Sequence, residues 1–216
     1  MSKGFFISGT DTDVGKTVIS AILVQKLDAI YYKPIQCGVD LNGDIDSDII
    51  KRLCSNPKIL NETYKFKNAL SPNIASQREN IIINHLNFKN LENMNREVIV
   101  EGAGGLQVPI NNEFYVSDLP ILFNLPIILV CKTELGTINH TLMSIETIKN
   151  KKIVLAGLVF NGKKNLETTQ TILNFGEKIY GKEIKVIANI PYLDKLNLEN
   201  IKSLISEFNF EKIYEK

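Results

Sequence analysis

The sequence is short of the residues that would commit it to several common functions. Its three cysteines, Cys37, Cys54 and Cys131, form neither an even set nor a C-x-x-C pair, which excludes a disulfide framework and a thiolate zinc site. Its two histidines, His85 and His140, stand in no metal-ligand spacing and read as structural. Charge of one sign is missing as well: Lys+Arg 25 against Asp+Glu 24 leaves a net +1, no field to gather a nucleic-acid backbone or anionic lipid. Neither nucleic acid nor a membrane is an expected partner. The longest apolar run, Leu119 to Cys131, is broken by Pro120, Asn124 and Pro126 and falls well short of the ~20 residues that span a bilayer. No signal-peptide h-region precedes Gly9, so a reducing cytoplasm is the expected compartment.

What is present is an ordinary globular composition, 44% hydrophobic and 23% charged over 216 residues. One domain over 1–216 is expected, burying roughly 70% of its unfolded surface. Short apolar runs alternate with segments of helical period: Gly4–Ser8, Lys16–Leu27, Tyr31–Lys33, Val98–Glu101, Ile127–Cys131, Asn139–Lys149, Ile153–Asn161, Glu167–Tyr180, Ile184–Ile190 and Leu198–Phe208. Val98-Ile99-Val100 and Ile127-Ile128-Leu129-Val130 are apolar at every position, the pattern of parallel strands covered on both faces. The expected fold is α/β: a doubly wound, mostly parallel sheet with helices on both faces. Ligands on such sheets sit beyond the carboxyl ends of the strands, so the residues just after each strand are the candidates for chemistry.

Gly9-Thr10-Asp11-Thr12-Asp13-Val14-Gly15-Lys16-Thr17 joins the first strand to the first helix. There its N–H groups and the helix dipole can meet an anion. It differs by one residue in spacing from G-x-x-x-x-G-K-[ST] and reads as a variant P-loop. Lys16 would contact the β- and γ-phosphates of a nucleoside triphosphate, and Thr17 would place its hydroxyl on Mg²⁺.

Glu101 ends a strand and is followed by Gly102-Ala103-Gly104-Gly105, small residues that allow close backbone approach, so it is a candidate metal ligand. Asp40, Asp44, Asp46 and Asp48 crowd another loop, but Ile49 and Ser55 stand where a calcium loop from Asp44 needs Gly and Glu. Asp40, Asp44 and Asp46 read as a solvated acidic loop; Asp48, entering a helical stretch, is placed as a cap or a Mg²⁺ ligand. Lys33 is expected at a strand end, where Pro34 stops the ladder, with its ammonium toward the phosphate loop. Leu135-Gly136-Thr137-Ile138-Asn139-His140 opens a helix whose free N–H groups suit a carboxylate.

Taken together, Gly9–Thr17, Tyr32–Gly38, Glu101–Gly105 and Leu135–His140 closely resemble the dethiobiotin synthetase family, with support from Ser71-Pro72 and Ile190-Pro191-Tyr192. The resemblance runs from Gly4 to about Pro191. It implies a P-loop NTPase-like enzyme that converts 7,8-diaminononanoate, CO₂ and MgATP to dethiobiotin, ADP and phosphate through a carbamate and a carbamic-phosphoric anhydride. It assigns Lys16, Lys33 and Thr12 to the reacting groups, Asp13, Val14, Gly15, Lys16, Thr17 and Val18 to the phosphates, and Asn161 and Pro191 to the base. It gives Thr17, Asp48 and Glu101 to magnesium. Gly136, Thr137, Ile138 and Asn139 would receive the substrate carboxylate from the partner subunit of a homodimer, making the sites composite. The chain departs from the family's pattern at Cys37, a usual hydroxyl position near the carbamate, and at Glu134, where a basic residue is frequent. Its short stretch after Pro191 leads to the expectation that GTP or CTP supports the reaction within roughly tenfold of ATP.

Two rivals share the phosphate loop. A cobyrinate synthetase would need a glutaminase domain for which the chain has no room. A partitioning or division-site ATPase carries a signature lysine where Thr10 stands, and its membrane-binding kind ends in a basic amphipathic helix. Leu198, Ile201, Leu204, Ile205 and Phe208 do form one apolar face, but Glu199, Lys202 and Glu207 mix the charge opposite, so this helix is expected to dock on its own sheet.

Overall fold

Side chains on successive strand positions point to opposite faces, and here both directions are apolar. In a computed structural model, which describes residues 3–193 and 195–214, this produces a central parallel sheet buried on both sides. The elements run β1 (Gly4–Gly9), α1 (Lys16–Leu27), β2 (Ile30–Tyr32), β3 (Ile35–Cys37), α2 (Asp46–Leu53), β4 (Lys58–Leu60), β5 (Tyr64–Phe66) and α3 (Pro72–Arg78). They continue β6 (Val98–Gly105), α4 (Leu119–Phe123), β7 (Ile127–Lys132), α5 (Thr137–Asn150), β8 (Leu155–Asn161), α6 (Leu166–Tyr180), β9 (Val186–Ile190), α7 (Leu198–Leu204) and α8 (Phe210–Tyr214). The sheet order is β4-β2-β6-β1-β7-β8-β9, and a separate two-stranded sheet pairs β3 with β5.

Every pairing within these sheets is parallel. Phe6, Val98, Val100, Leu129 and Phe160 face one core with Ile145, Ile148 and Ile172 of α5 and α6. Phe5, Ile7, Ile99, Val130 and Val159 face the other with α1 and α7. β1 lies between β6 and β7, so the chain reverses its winding direction beside β1, and the carboxyl ends of β1 and β6 open at that point.

Local chemistry sets the ends. Gly15 (φ 94) is the N-cap of α1, and Asn165 and Asn197 cap α6 and α7 by accepting from the N–H groups of Thr168 and Asn200 at 3.0 and 2.9 Å. The apolar run from Leu119 to Cys131 divides at Asn124 (φ 52) into α4 and β7. Some expected boundaries shift. β2 stops at Tyr32, one residue before Lys33; β6 continues past Glu101 to Gly105; and the helix expected over Leu198–Phe208 ends at Leu204, followed by a 3₁₀ turn over Ile205–Glu207. Ile201, Leu204 and Phe208 are buried in the α1 core, so α7 docks on this molecule's own sheet. No helix of the described residues is long and apolar enough to cross a membrane.

Candidate active site

The loop between β1 and α1 turns through two left-handed residues, Asp13 (φ 52) and Gly15 (φ 94). Gly9 is required at its start: a Cβ there would stand 2.5 Å from Val14 and 2.8 Å from the Asp11 carbonyl. Gly9 pairs with Gly105 of β6, which brings the small-residue stretch after Glu101 against the loop. Lys16 is 7% exposed, and its ammonium donates to the Asp11 carbonyl at 2.8 Å. Burial, reinforced by the Lys33 charge, brings the Lys16 pKa down to about 8. Thr12, Asp13 and Asp11 are exposed along the rim, while Val14 is buried beneath it and Thr17 and Val18 are half-buried.

Glu101 is the centre of the cluster at 1% exposure. Its Oε1 accepts from Thr17 Oγ1 at 2.9 Å and Lys33 Nζ at 3.0 Å, and its Oε2 accepts from the Tyr31 hydroxyl at 2.9 Å. Lys33 also donates to the Gly102 carbonyl at 3.1 Å and pairs with Asp46 Oδ2 at 2.5 Å. Burial opposes the Lys33 charge, but Glu101 and Asp46 more than reverse that and hold its pKa above the ordinary lysine range. Tyr31 is held neutral by burial and by the neighbouring Glu101 charge. The result is a fixed ammonium between two carboxylates, beside a second lysine and a hydroxyl, at the open end of the sheet.

The structure brings Asp46, read in the sequence as part of a solvated loop, into the cluster. Asp46 reaches Lys33, whereas Asp48, read as the magnesium ligand, carries a 41%-exposed side chain that pairs with Lys51 at 2.7 Å. The Lys51 ammonium holds the Asp48 carboxyl below its usual pKa. The reason is helical phase: two residues apart on a helix lie on nearly opposite faces. Asp46 opens α2 on the same side as the buried Ile50 and Leu53, at the i, i+4, i+7 spacing, and that periodicity is the signal that separates the two aspartates. Asp48 also accepts from the Ile45 N–H at 3.5 Å, in keeping with the cap position. Tyr31, the third partner of Glu101, carries no motif signal; only the register of β2 beside β6 exposes its role.

Cys37 at the end of β3 lies close enough for the Lys33 charge to act on it, but burial dominates and raises the thiol to about 11. Gly136 (φ 94) is the N-cap of α5, where Thr137 donates to the Lys132 carbonyl at 2.5 Å and is buried. Gly136, Ile138 and Asn139 are exposed, and among the described residues no hydrogen bond ties them to the lysine–carboxylate cluster. Asn161 ends β8 beside Gly15, and its Nδ2 donates to the Val14 carbonyl at 2.9 Å. Next to it a cavity of about 450 Å³ is lined by Gly162, Lys163, Lys164, Asn189, Pro191 and Glu207. The segment after Pro191 thus does reach back to wall this cavity. His85 stacks on Phe114 with ring centroids 4.4 Å apart, and His140 is exposed.

Thr17, Asp46 and Glu101 offer only oxygen donors, which fits Mg²⁺. Among the described residues no group of three or more His, Cys, Asp or Glu could hold a metal alone. Two carboxylates and a hydroxyl leave coordination positions for phosphate oxygens, the usual way Mg²⁺ is held with a nucleotide.

A family model described as an AAA domain matches residues 3–200. The ATP-dependent dethiobiotin synthetase of Lawsonia intracellularis is 38% identical over 202 residues, covering 93% of each chain. That of Rhodopseudomonas palustris is 36% identical over 94% of this chain and 92% of the relative, and that of Agrobacterium fabrum 35% over 100% and 99%. Among solved structures, a ParA family ATPase from Chlorobium tepidum superposes with TM-score 0.51 at 11% identity, covering 95% of this chain and 98% of that one. At that identity the likeness is one of fold alone.

Proposed function

The chain belongs to the dethiobiotin synthetase family and forms dethiobiotin in an ATP-dependent reaction; from that premise we propose how its own residues carry the chemistry. One amine of 7,8-diaminononanoate adds to the carbon of CO₂ and loses a proton, giving a carbamate. A carbamate oxygen attacks the γ-phosphorus and ADP leaves, giving a carbamic-phosphoric anhydride. The second amine attacks the carbamoyl carbon, phosphate leaves with the bonding pair, a proton is released, and the cyclic urea closes.

The observation that carries this reading is the Lys33 ammonium, fixed by Glu101 and Asp46 beside the phosphate loop. Transfer of a phosphoryl group to a carbamate brings two anions together, and a preorganised cation at their junction lowers the barrier without reorganising at the moment of reaction. Lys16 takes the β- and γ-phosphate oxygens, within the loop formed by Asp13 to Val18. Thr12, on the exposed rim near Gly104, contacts the carbamate, and Cys37 takes the neighbouring position that the resemblance gives it. We read Thr17, Asp46 and Glu101 as the residues that would hold magnesium, where the family resemblance assigns Asp48 in place of Asp46. The ion supplies neutralisation of charge on the phosphates.

Asn161 and Pro191 turn toward the base. The α5 start, with Gly136, Ile138 and Asn139 exposed around the buried Thr137, receives the carboxylate of diaminononanoate bound on a partner subunit, so the homodimer builds composite sites. The cytoplasm, where ATP and reduced thiols coexist, is the compartment this requires.

The test is phosphate release from ATP with and without 7,8-diaminononanoate and bicarbonate. Release that depends on the diamine and matches dethiobiotin one for one is the expected result. Hydrolysis indifferent to the diamine would return the chain to the nucleotide-switch reading.

A further inference from the structure

Asn161 belongs to β8, far from the phosphate loop in sequence, yet its side chain is built into that loop. Its Nδ2 donates to the Val14 carbonyl at 2.9 Å, and it packs so closely over Gly15 that a Cβ there would stand 2.2 Å away. Gly15 is left-handed (φ 94) and caps α1, so this contact falls at the turn that sets the direction of the N–H groups before Lys16 and Thr17. The next residue, Gly162, lines the neighbouring cavity.

A carbonyl only accepts, so the Val14 oxygen fixes which way the Asn161 amide faces: its Nδ2 must lie toward the loop. One Nδ2 hydrogen is then used, and the second hydrogen and Oδ1 remain for a ligand, with no protein hydrogen bond on either among the described residues. Asparagine reads adenine by accepting from the exocyclic amino group and donating to a ring nitrogen. Cytosine offers the same pair of an amino group beside a ring-nitrogen acceptor. Guanine and uracil present a carbonyl where Oδ1 waits for a donor. An amide flip that would suit them sets oxygen against the Val14 oxygen.

We propose that the Val14–Asn161 bond makes base recognition and the phosphate loop one unit. Asn161 is the positioning residue for Val14–Thr17, and its locked amide admits amino-bearing bases, ATP and CTP, over GTP and UTP. This rests on the reading of the cavity beside Asn161 as the base site.

Two readouts together test it, with inorganic tripolyphosphate and magnesium as a probe that carries no base. Asn161→Leu and Asn161→Ala should each weaken tripolyphosphate binding by about tenfold, the change that a lost hydrogen bond of about 1.4 kcal/mol corresponds to. Both should also flatten an ATP and CTP preference that in the native protein exceeds GTP and UTP by about tenfold. A simple base contact would lose the preference and leave tripolyphosphate affinity untouched, and that result overturns the proposal. Tripolyphosphate should also shift the Asn161 side-chain amide resonance in the native protein, a measurement that needs no variant to fold. An unmoved resonance counts against the proposal in the same way. Failure of the native protein to bind ATP or form dethiobiotin would instead strike the functional reading beneath it.

Discussion

At the scale of single residues, the cluster around Glu101 separates roles that look alike in sequence. Lys33→Ala removes a donor aimed at developing charge and should cost ~10²–10³ in turnover, measured as dethiobiotin formed under saturating substrates. A loss under about threefold would remove Lys33 from the mechanism. Asp46→Asn should raise the magnesium concentration needed for half-maximal rate, while Asp48→Asn, whose carboxylate pairs with Lys51 in solvent, should leave that titration in place. The reverse pattern would restore Asp48 as the ligand. The thiols provide a pH test. Burial raises Cys37 to about 11 and Cys54 and Cys131 to about 12, so each is the neutral, unreactive thiol at pH 8. Alkylation of native Cys37 should climb about tenfold per pH unit from 8 to 10, whereas the denatured chain should level off near the ordinary thiol pKa of about 8.5. Fast labelling of Cys37 at pH 7 would show a thiolate beside Lys33 and contradict the burial argument.

At the scale of elements, chemistry is delivered by how an element is anchored. α2 presents Asp46 because Ile50 and Leu53, both fully buried, turn that face inward against the α1 core. Ile50→Ala should cost ~2–5 kcal/mol of stability by denaturant unfolding, the range for a truncated core aliphatic. Where the variant still folds, its magnesium requirement should rise along with the loss, because the same packing aims Asp46. A destabilised variant with an unchanged magnesium titration would separate the helix from the site. The strands β2, β6 and β1 act similarly: Lys33 and the phosphate loop follow the ends of β2 and β1, and Glu101 lies within β6 between them, all brought side by side by parallel pairing.

At the scale of the whole molecule, the exposed α5 start is free to face a partner subunit, and the composite sites proposed for a homodimer follow from the family resemblance. Lys16→Ala and Asn139→Trp should each be inactive alone. In a mixed dimer both lesions fall in one site and the other is intact. With half the dimers mixed after random exchange, roughly a quarter of all sites recover activity, given a two-fold interface. An inactive mixture, with dimerisation and subunit exchange verified separately, would place the whole site in one subunit.

The sequence by itself determined the parallel α/β sheet, because a strand apolar at every position can only be satisfied with helices on both faces. It also determined the phosphate loop, whose glycines and Lys16-Thr17 are contiguous and whose geometry is local. Lys33 was legible for the same reason, just past a strand end; Glu101 was legible as the charge that closes an apolar run, although β6 continues past it to Gly105. The short elements β3, β4, β5 and α3 were not, since three to seven residues carry too little periodicity. Only the tertiary structure set Asp46 beside Lys33 and Asp48 beside Lys51, because that depends on the rotation of α2 against α1. Only it joined Tyr31 to Glu101 and Asn161 to Val14, 70 and 147 residues apart, because those bonds arise from strand order and are encoded in no local stretch of chain.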